Sequence, residues 1–134
     1  MDIQKLDRVP AFITKDGSEI RELLAYRNSC IRNQTLAEAR LPPGTHSLAH
    51  HHIRTEEIYY ILEGMGEMQI GCELETVMPG DAIAIPPGAP HQITNTGTTA
   101  LRFLCCCAPG YENADTVLEA GELGERLKER EPSD

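Results

Sequence analysis

The chain has 134 residues, enough for one domain with a modest core, and carries 12 basic and 21 acidic residues for a formal net charge of −9. No cluster of Lys and Arg offers a site for a phosphate backbone, no apolar run is long enough to cross a bilayer, and the charged N-terminus lacks the apolar segment of a secretory signal. The composition predicts a soluble cytoplasmic protein that binds neither nucleic acid nor membrane.

The N-terminal segment, residues 1–32, precedes the regular part of the sequence. Its Asp-Gly pair at 16–17 predicts a turn between two segments. Residues 18–26 (SEIRELLAY) suit a strand, but the spacing of their leucines also suits a helix. We expect this segment to provide N-terminal strands or a dimerisation segment.

The central part, residues 33–110, consists of short β-type runs separated by Gly, Pro and Asp. Turn signals fall at 42–44, 62–66, 78–81 and 86–90. Many short strands at even spacing predict an all-β sandwich or barrel.

Four of the five histidines fall between His46 and His52. Strand alternation places His50 and His52 on one face and His51 on the other, so two imidazoles can converge inside a barrel. We expect His46 and His51 to be satisfied by other groups or to face solvent.

A polar break at 53–55 follows, where a chain reversal would let Glu56 and Glu57 open the neighbouring antiparallel strand. Whichever carboxylate points inward can complete a His/His/carboxylate set, and His91, at the start of a later strand, can supply a fourth ligand. Such a set suits Fe(II), Mn(II), Ni(II) or Zn(II) and leaves positions open.

The five cysteines include the run Cys105, Cys106 and Cys107. Their odd number and the absence of a C-x-x-C pair favour reduced thiols over a disulfide framework. The middle residue of three in a strand points away from the other two, so the run cannot converge on one ion. We interpret it as apolar filler in which one thiol can still face a cavity.

The C-terminal tail, residues 111–134, is acidic. Its segment 113–130 predicts a short, partly frayed helix that is capped at Asn113 or Asp115 and weakened by Gly121 and Gly124.

The glycine, histidine, glutamate, proline and asparagine positions between residues 44 and 95 resemble the two motifs of the cupin superfamily. The first cupin motif, G-x5-H-x-H-x3,4-E-x6-G, is matched at Gly44, His50, His52, Glu57 and Gly64. The second motif, G-x5-P-x-G-x2-H-x3-N, is matched at Gly80, Pro86, Gly88, His91 and Asn95. The chain therefore resembles a small single-domain cupin.

The resemblance implies a double-stranded β-helix, or jelly-roll barrel, over residues 33–110. It also implies one divalent transition metal per chain (Fe, Mn, Ni or Zn), held by His50, His52, Glu57 and His91. The motif spacing selects Glu57, whereas a register slip of one residue would select Glu56. Cupins commonly pair N-terminal strands with a neighbouring subunit, which implies a homodimer.

Tyr59 shares strand parity with Glu57 and should face the cavity. It is expected either as a core aromatic or as a hydrogen-bond donor to a bound ligand, and it is a candidate for a catalytic role outside the ligand set.

Three functions are consistent with this pattern. The first is a metal-dependent isomerase or lyase, in which a Lewis-acid ion acts on a small oxygenated metabolite such as a sugar or sugar acid. The second is a non-haem Fe(II) dioxygenase. The third is a non-catalytic small-molecule-binding module.

Overall fold

The computed structural model of the protein describes residues 1–119, which form strands and two short 3₁₀ turns, at Leu6–Arg8 and Asn113–Asp115. The strands are β1 (Ala11–Ile13), β2 (Glu19–Leu24), β3 (Thr35–Leu41), β4 (His50–His52), β5 (Glu56–Glu63), β6 (Gly66–Ile70), β7 (Glu73–Val77), β8 (Ala82–Ile85), β9 (His91–Asn95), β10 (Leu101–Ala108) and β11 (Thr116–Leu118). The predicted all-β class is confirmed. Among the described residues, no helix is long and apolar enough to cross a membrane.

The strands form two antiparallel sheets that close into a jelly-roll barrel. The six-stranded sheet has the order β1-β2-β3-β10-β5-β8, and the five-stranded sheet has the order β11-β4-β9-β6-β7. Consecutive strands such as β4 and β5 often lie in opposite sheets, so strands that are distant in sequence pair within each sheet.

Strand alternation decides which side chains enter the barrel. Along β10, Leu101, Phe103, Cys105 and Cys107 are buried, whereas the residues between them are half-buried. The same period on β5 buries Glu57, Tyr59 and Ile61 and leaves the residues between them exposed. The resulting core is apolar in its middle and polar at the end where β4, β5 and β9 begin.

Two residues that end the cupin motifs have structural roles. Gly64 adopts φ +87°, and a Cβ at this position would lie 2.5 Å from the carbonyl oxygen of Ala100, so only glycine fits. Asn95 is buried, and its Nδ2 donates to the carbonyl oxygens of Leu41 at 2.9 Å and Thr99 at 2.8 Å. These contacts fix the ends of β5 and β9, whose other ends carry Glu57 and His91.

The structure corrects one expectation about strand pairing. Glu56 and Glu57 do not open a strand that pairs with the histidine strand, because β4 pairs with β9 and β11 whereas β5 pairs with β10 and β8. Residues 53–55 cross from one sheet to the other. Glu57 therefore faces the histidines across the barrel.

The chain ends also differ in part from expectation. In the N-terminal segment, β2 is a strand, as one of the two alternatives predicted, and it pairs with β3 of the same chain. In place of the start of the predicted helix over 113–130, the structure has a 3₁₀ turn followed by β11, which pairs with β4. Residues 120–134 of that predicted helix lie outside the described residues.

Candidate metal centre

Three buried histidines come together at the polar end of the barrel. His50 and His52 lie on β4, whose alternation turns both rings inward, and His91 opens β9 directly opposite His50. One ring nitrogen of each imidazole lies within 4.8 Å of the other two. This triad can hold a metal ion.

The tautomers of His50 and His91 are set by backbone carbonyls. Nδ1 of His50 lies 2.7 Å from the carbonyl oxygen of Leu48, and Nδ1 of His91 lies 2.9 Å from that of Ala89. Because a carbonyl oxygen only accepts, each Nδ1 carries the proton and donates it. Each neutral ring therefore keeps its Nε2 lone pair available to a metal.

His52 is oriented by the C-terminal strand. Its Nδ1 lies 3.1 Å from Oγ1 of Thr116, whose hydroxyl donates to the carbonyl oxygen of Glu112 at 3.2 Å. Since the hydroxyl proton is used there, Thr116 accepts from the Nδ1–H of His52. The third Nε2 lone pair is thereby also available to a metal.

A carboxylate faces the triad from the opposite sheet. Oε1 of Glu57 lies 3.1 Å from Nε2 of His52 and 3.6 Å from Nε2 of His91. Its other oxygen, Oε2, accepts from the thiol of Cys107 at 3.2 Å. Glu56 is exposed, so of the two candidate carboxylates only Glu57 reaches the histidines.

The three imidazole nitrogens can hold a metal ion, and the Glu57 carboxylate faces two of them. Oε1 of Glu57 and Nε2 of His91 are both buried, and neither has a hydrogen-bond partner among the described residues. Buried polar atoms nearly always have a partner, and an ion between these two would supply one. Three imidazole nitrogens and one carboxylate oxygen suit Fe, Mn, Ni or Zn.

The protonation states also suit metal binding. Burial and the neighbouring His91 ring lower the pKa of His50 to about 4, so His50 is neutral at pH 7. Burial raises the pKa of Glu57, but in the absence of an ion, hydrogen bonds and positive charge from the His52 and His91 rings, whose place a bound cation would take, outweigh it and hold this pKa at about 2. A neutral imidazole and an ionised carboxylate are the forms that bind metals.

These pKa values predict acid destabilisation of the metal-free protein. Between pH 6.5 and about 4 the unfolded chain protonates His50 and the folded chain does not, so the free energy of unfolding falls as the pH falls through this window. The expected loss is roughly 2 to 3 kcal/mol. Glu57, whose pKa is depressed, adds a loss in the same direction below pH 4.5. Urea unfolding in EDTA at pH 7 and pH 4.5 measures the change. An equal pH dependence in His50→Asn would contradict the prediction.

The structure places Tyr59 and two of the cysteines on the cavity wall. Tyr59 is buried, and its ring centroid lies 4.7 Å from that of Phe103 and 6.0 Å from that of His91. Burial raises its pKa well above the ordinary value, so the hydroxyl stays protonated. Cys105 and Cys107 line the same cavity, whereas Cys106, as alternation predicts, points to the outer face of the sheet.

Two further residues at the site were not foreseen from the sequence. Oδ2 of Asp16, in the turn between β1 and β2, lies 3.4 Å from Nε2 of His50. Tyr111 is half-buried with its ring centroid 6.0 Å from that of His52, and it lines the cavity. The Asp-Gly turn was visible in the sequence, but nothing there indicated that it closes over the histidines.

Comparison with known proteins identifies similar sequences and structures. The family model for the cupin domain matches residues 37–107. An uncharacterised protein of Methanocaldococcus jannaschii is 49% identical over 112 residues, which cover 84% of this chain and 90% of the relative. The oxalate-binding protein of Thermotoga maritima is 35% identical over 90 residues, or 67% of this chain and 74% of the relative. The crystal structure of a predicted oxalate decarboxylase from Thermotoga maritima superimposes with a TM-score of 0.70 at 28% identity, covering 80% of this chain and 98% of that one.

Proposed function

The chain belongs to the cupin family, and we propose that it is a metal-dependent enzyme acting on a small oxygenated metabolite. The observation that carries this proposal is that His50, His52 and Glu57 form part of a cavity wall. A structural metal site is closed by its protein ligands, whereas a catalytic site keeps a position open to a ligand. The triad and Glu57 provide four donors, and three of these residues, His50, His52 and Glu57, line the cavity.

The cavity limits the size of the ligand. The cavity has a volume of about 40 Å³, room for roughly three waters. Phe12, which is 44% exposed, lines the cavity, and the wall combines hydroxyls, carboxylates and apolar groups. A ligand of a few heavy atoms, or one end of a longer molecule, fits this space.

The reaction we propose is an isomerisation or elimination on a sugar, a sugar acid or a related oxygenated compound. A divalent transition ion held by His50, His52, His91 and Glu57 would supply a Lewis acid that polarises a ligand oxygen. The carbonyls and the hydroxyl behind the rings hold the three imidazoles in place. We propose that Tyr59, which packs on Phe103, has a structural role as part of the cavity wall. The name of the Thermotoga maritima oxalate-binding protein supports a small, oxygen-rich ligand.

The test is metal analysis of protein purified without oxygen, followed by turnover and O₂-uptake assays on a panel of small sugars, sugar acids and dicarboxylates. We expect about one divalent transition ion per chain and conversion of at least one compound without O₂ uptake. The activity should disappear with a chelator and return with the metal.

Two other outcomes would replace the proposal. O₂ consumption in step with substrate loss in the iron-loaded protein would identify a dioxygenase. Saturable binding of panel compounds without conversion of any of them would indicate a binding module.

We also propose that the protein is a homodimer through the outer face of the six-stranded sheet. On β5, Ile58, Tyr60 and Leu62 are 46%, 42% and 37% exposed. Their neighbours on β10 extend the apolar surface, with Leu104 opposite Tyr60 and Cys106 opposite Ile58. A contiguous apolar face of this kind is typical of a protein–protein interface, and a two-fold axis would cover it on both subunits.

Sedimentation at micromolar concentration tests this arrangement. The wild type should have twice the 14.8 kDa mass of the chain, and Ile58→Lys should shift it to the monomer mass. Met78→Lys, which adds the same charge at a residue 47% exposed in the turn between β7 and β8, should remain dimeric. A monomeric wild type would refute the dimer, and a dimeric Ile58→Lys variant would place the interface elsewhere.

A further inference from the structure

The turn between β1 and β2 is built to hold one carboxylate in place. The backbone N–H of Thr14 donates to the carbonyl oxygen of Ser18 at 3.0 Å, and that of Gly17 donates to Thr14 at 3.0 Å. Gly17 adopts φ +88°, a conformation that other residues rarely take. The N–H of Leu48, just before β4, donates to the carbonyl oxygen of Asp16 at 2.7 Å. The turn is therefore tied to the segment that leads into the histidine strand.

Both oxygens of the Asp16 carboxylate have a defined direction. Oδ1 accepts from the hydroxyl of Thr14 at 2.6 Å and from the N–H of Ser18 at 2.9 Å. Oδ2 is left facing Nε2 of His50 at 3.4 Å, and the side chain is only 13% exposed. Because the proton of His50 is on Nδ1, this Nε2 has no hydrogen to give Oδ2 in the neutral ring. Oδ2 therefore faces the place where the ion and its ligand would sit.

The charges around the cavity leave Asp16 without a balancing cation. Three carboxylates line the cavity, those of Asp16, Glu22 and Glu57, and none of the described residues that line it is Lys or Arg. Glu22 is paired with Arg27 through two bonds of 2.8 Å. Glu57 faces the histidines. Lys15, next to Asp16 in sequence, points instead to the carbonyl oxygen of Thr116 at 2.8 Å.

We propose that Asp16 is a specificity-determining residue that makes the site select neutral, hydroxyl-bearing metabolites over dianions such as oxalate. The inference rests on the proposed metal-dependent function. A divalent ion with Glu57 carries one net positive charge, and Asp16 reduces the net charge to zero. A bound dianion would bring two negative charges close to Oδ2, whereas a neutral ligand can donate a hydroxyl hydrogen to it.

Asp16→Asn tests this assignment, because asparagine retains the Oδ1 acceptor of the turn and replaces the charged Oδ2 acceptor with a neutral NH2 donor. The measurement is the affinity of the Mn(II)-loaded protein for oxalate, glycolate and glycolamide, the last two being an anion and a neutral compound of the same shape. Asp81→Asn is the matched control. Asp81 also accepts a backbone N–H in a turn, that of Met78, and it does not line the metal-site cavity.

We expect Asp16→Asn to bind oxalate about tenfold or more tightly than the wild type, to bind glycolate more tightly to a smaller extent, and to bind glycolamide equally or more weakly. Asp81→Asn should match the wild type.

Equal oxalate affinity in Asp16→Asn and wild type, or an equal gain for glycolamide, would overturn the inference while leaving the metal centre intact. A hundredfold loss of Mn(II) affinity in Asp16→Asn would make Asp16 a ligand of the ion and would also overturn it. A wild type that binds no metal would overturn both this inference and the proposed function.

Discussion

His50→Ala is expected to lower the affinity for divalent transition metals by more than about a hundredfold. Loss of an outer-shell partner costs roughly ten- to a hundredfold in metal affinity, and loss of a direct ligand should cost more. The variant removes one of three converging nitrogens, and the imidazole lost is the one nearest Asp16. Titration of Zn(II) or Co(II) against a competing chelator measures the change. The barrel should remain folded, because His50 lies at a cavity wall and not within the apolar cluster around Phe103.

His51→Ala is the matched control for this variant. His51 is the next residue on the same strand, but its ring points outward and contacts Glu119. Its loss should leave the metal affinity within about twofold of the wild type. Two results would contradict the prediction: a His50→Ala variant that binds metal as tightly as the control, and one that loses its cooperative thermal unfolding, which would make the ion structural.

Glu57→Gln is expected to weaken metal binding by roughly ten- to a hundredfold. The substitution keeps the size of the side chain but removes the negative charge beside His52 and His91. Its single oxygen can face either the ion or the Cys107 thiol, whereas the carboxylate has one oxygen for each. An amide oxygen is a weaker ligand than a carboxylate for a divalent ion. The same chelator competition measures the loss.

The adjacent glutamate provides the control. Glu56→Gln changes the net charge of the protein by the same amount at a solvent-exposed position, so any loss that comes from overall charge appears in both variants. We expect Glu56→Gln to match the wild type. If the two variants lose equal affinity, or if only Glu56→Gln does, Glu57 is not the carboxylate that completes the site.

The polar side chains of the metal centre were predictable because they follow strand alternation. His50 and His52 lie two residues apart in a strand, and the same period places Glu57 and Tyr59 on one face of the next strand. The turn glycines and the asparagine of the motifs then fix where each strand begins and ends. Local pattern indicated which histidines share a face, but it left Glu56 and Glu57 as alternatives, and the motif spacing of the cupin resemblance selected Glu57.

Sequence pattern could not specify which strands are neighbours. The alternation of β5 is the same whether it pairs with β4 or lies in the opposite sheet, so the expected pairing of Glu57 with the histidine strand was wrong even though its face was correct. Asp16 was missed for the same reason. Its turn was visible in the sequence, but the contact of its carboxylate with His50 depends on β2 pairing with β3, and β1 with β2, at the edge of the sheet.

The C-terminal strand illustrates how tertiary pairing overrides local preference. Residues 113–118 suited the start of a capped helix, yet Thr116 lies opposite His52 in the β11–β4 pair. There the hydroxyl of Thr116 orients the imidazole, a role that helical propensity could not indicate.

The most direct test of this account is a crystal structure of Zn(II)- or Mn(II)-loaded protein with anomalous data collected at the metal edge. We predict one strong anomalous peak per chain, within about 2.0–2.3 Å of Nε2 of His50, His52 and His91 and of a carboxylate oxygen of Glu57. An anomalous map without density among the three imidazoles, or with its strongest peak at another group of residues, would contradict the metal centre.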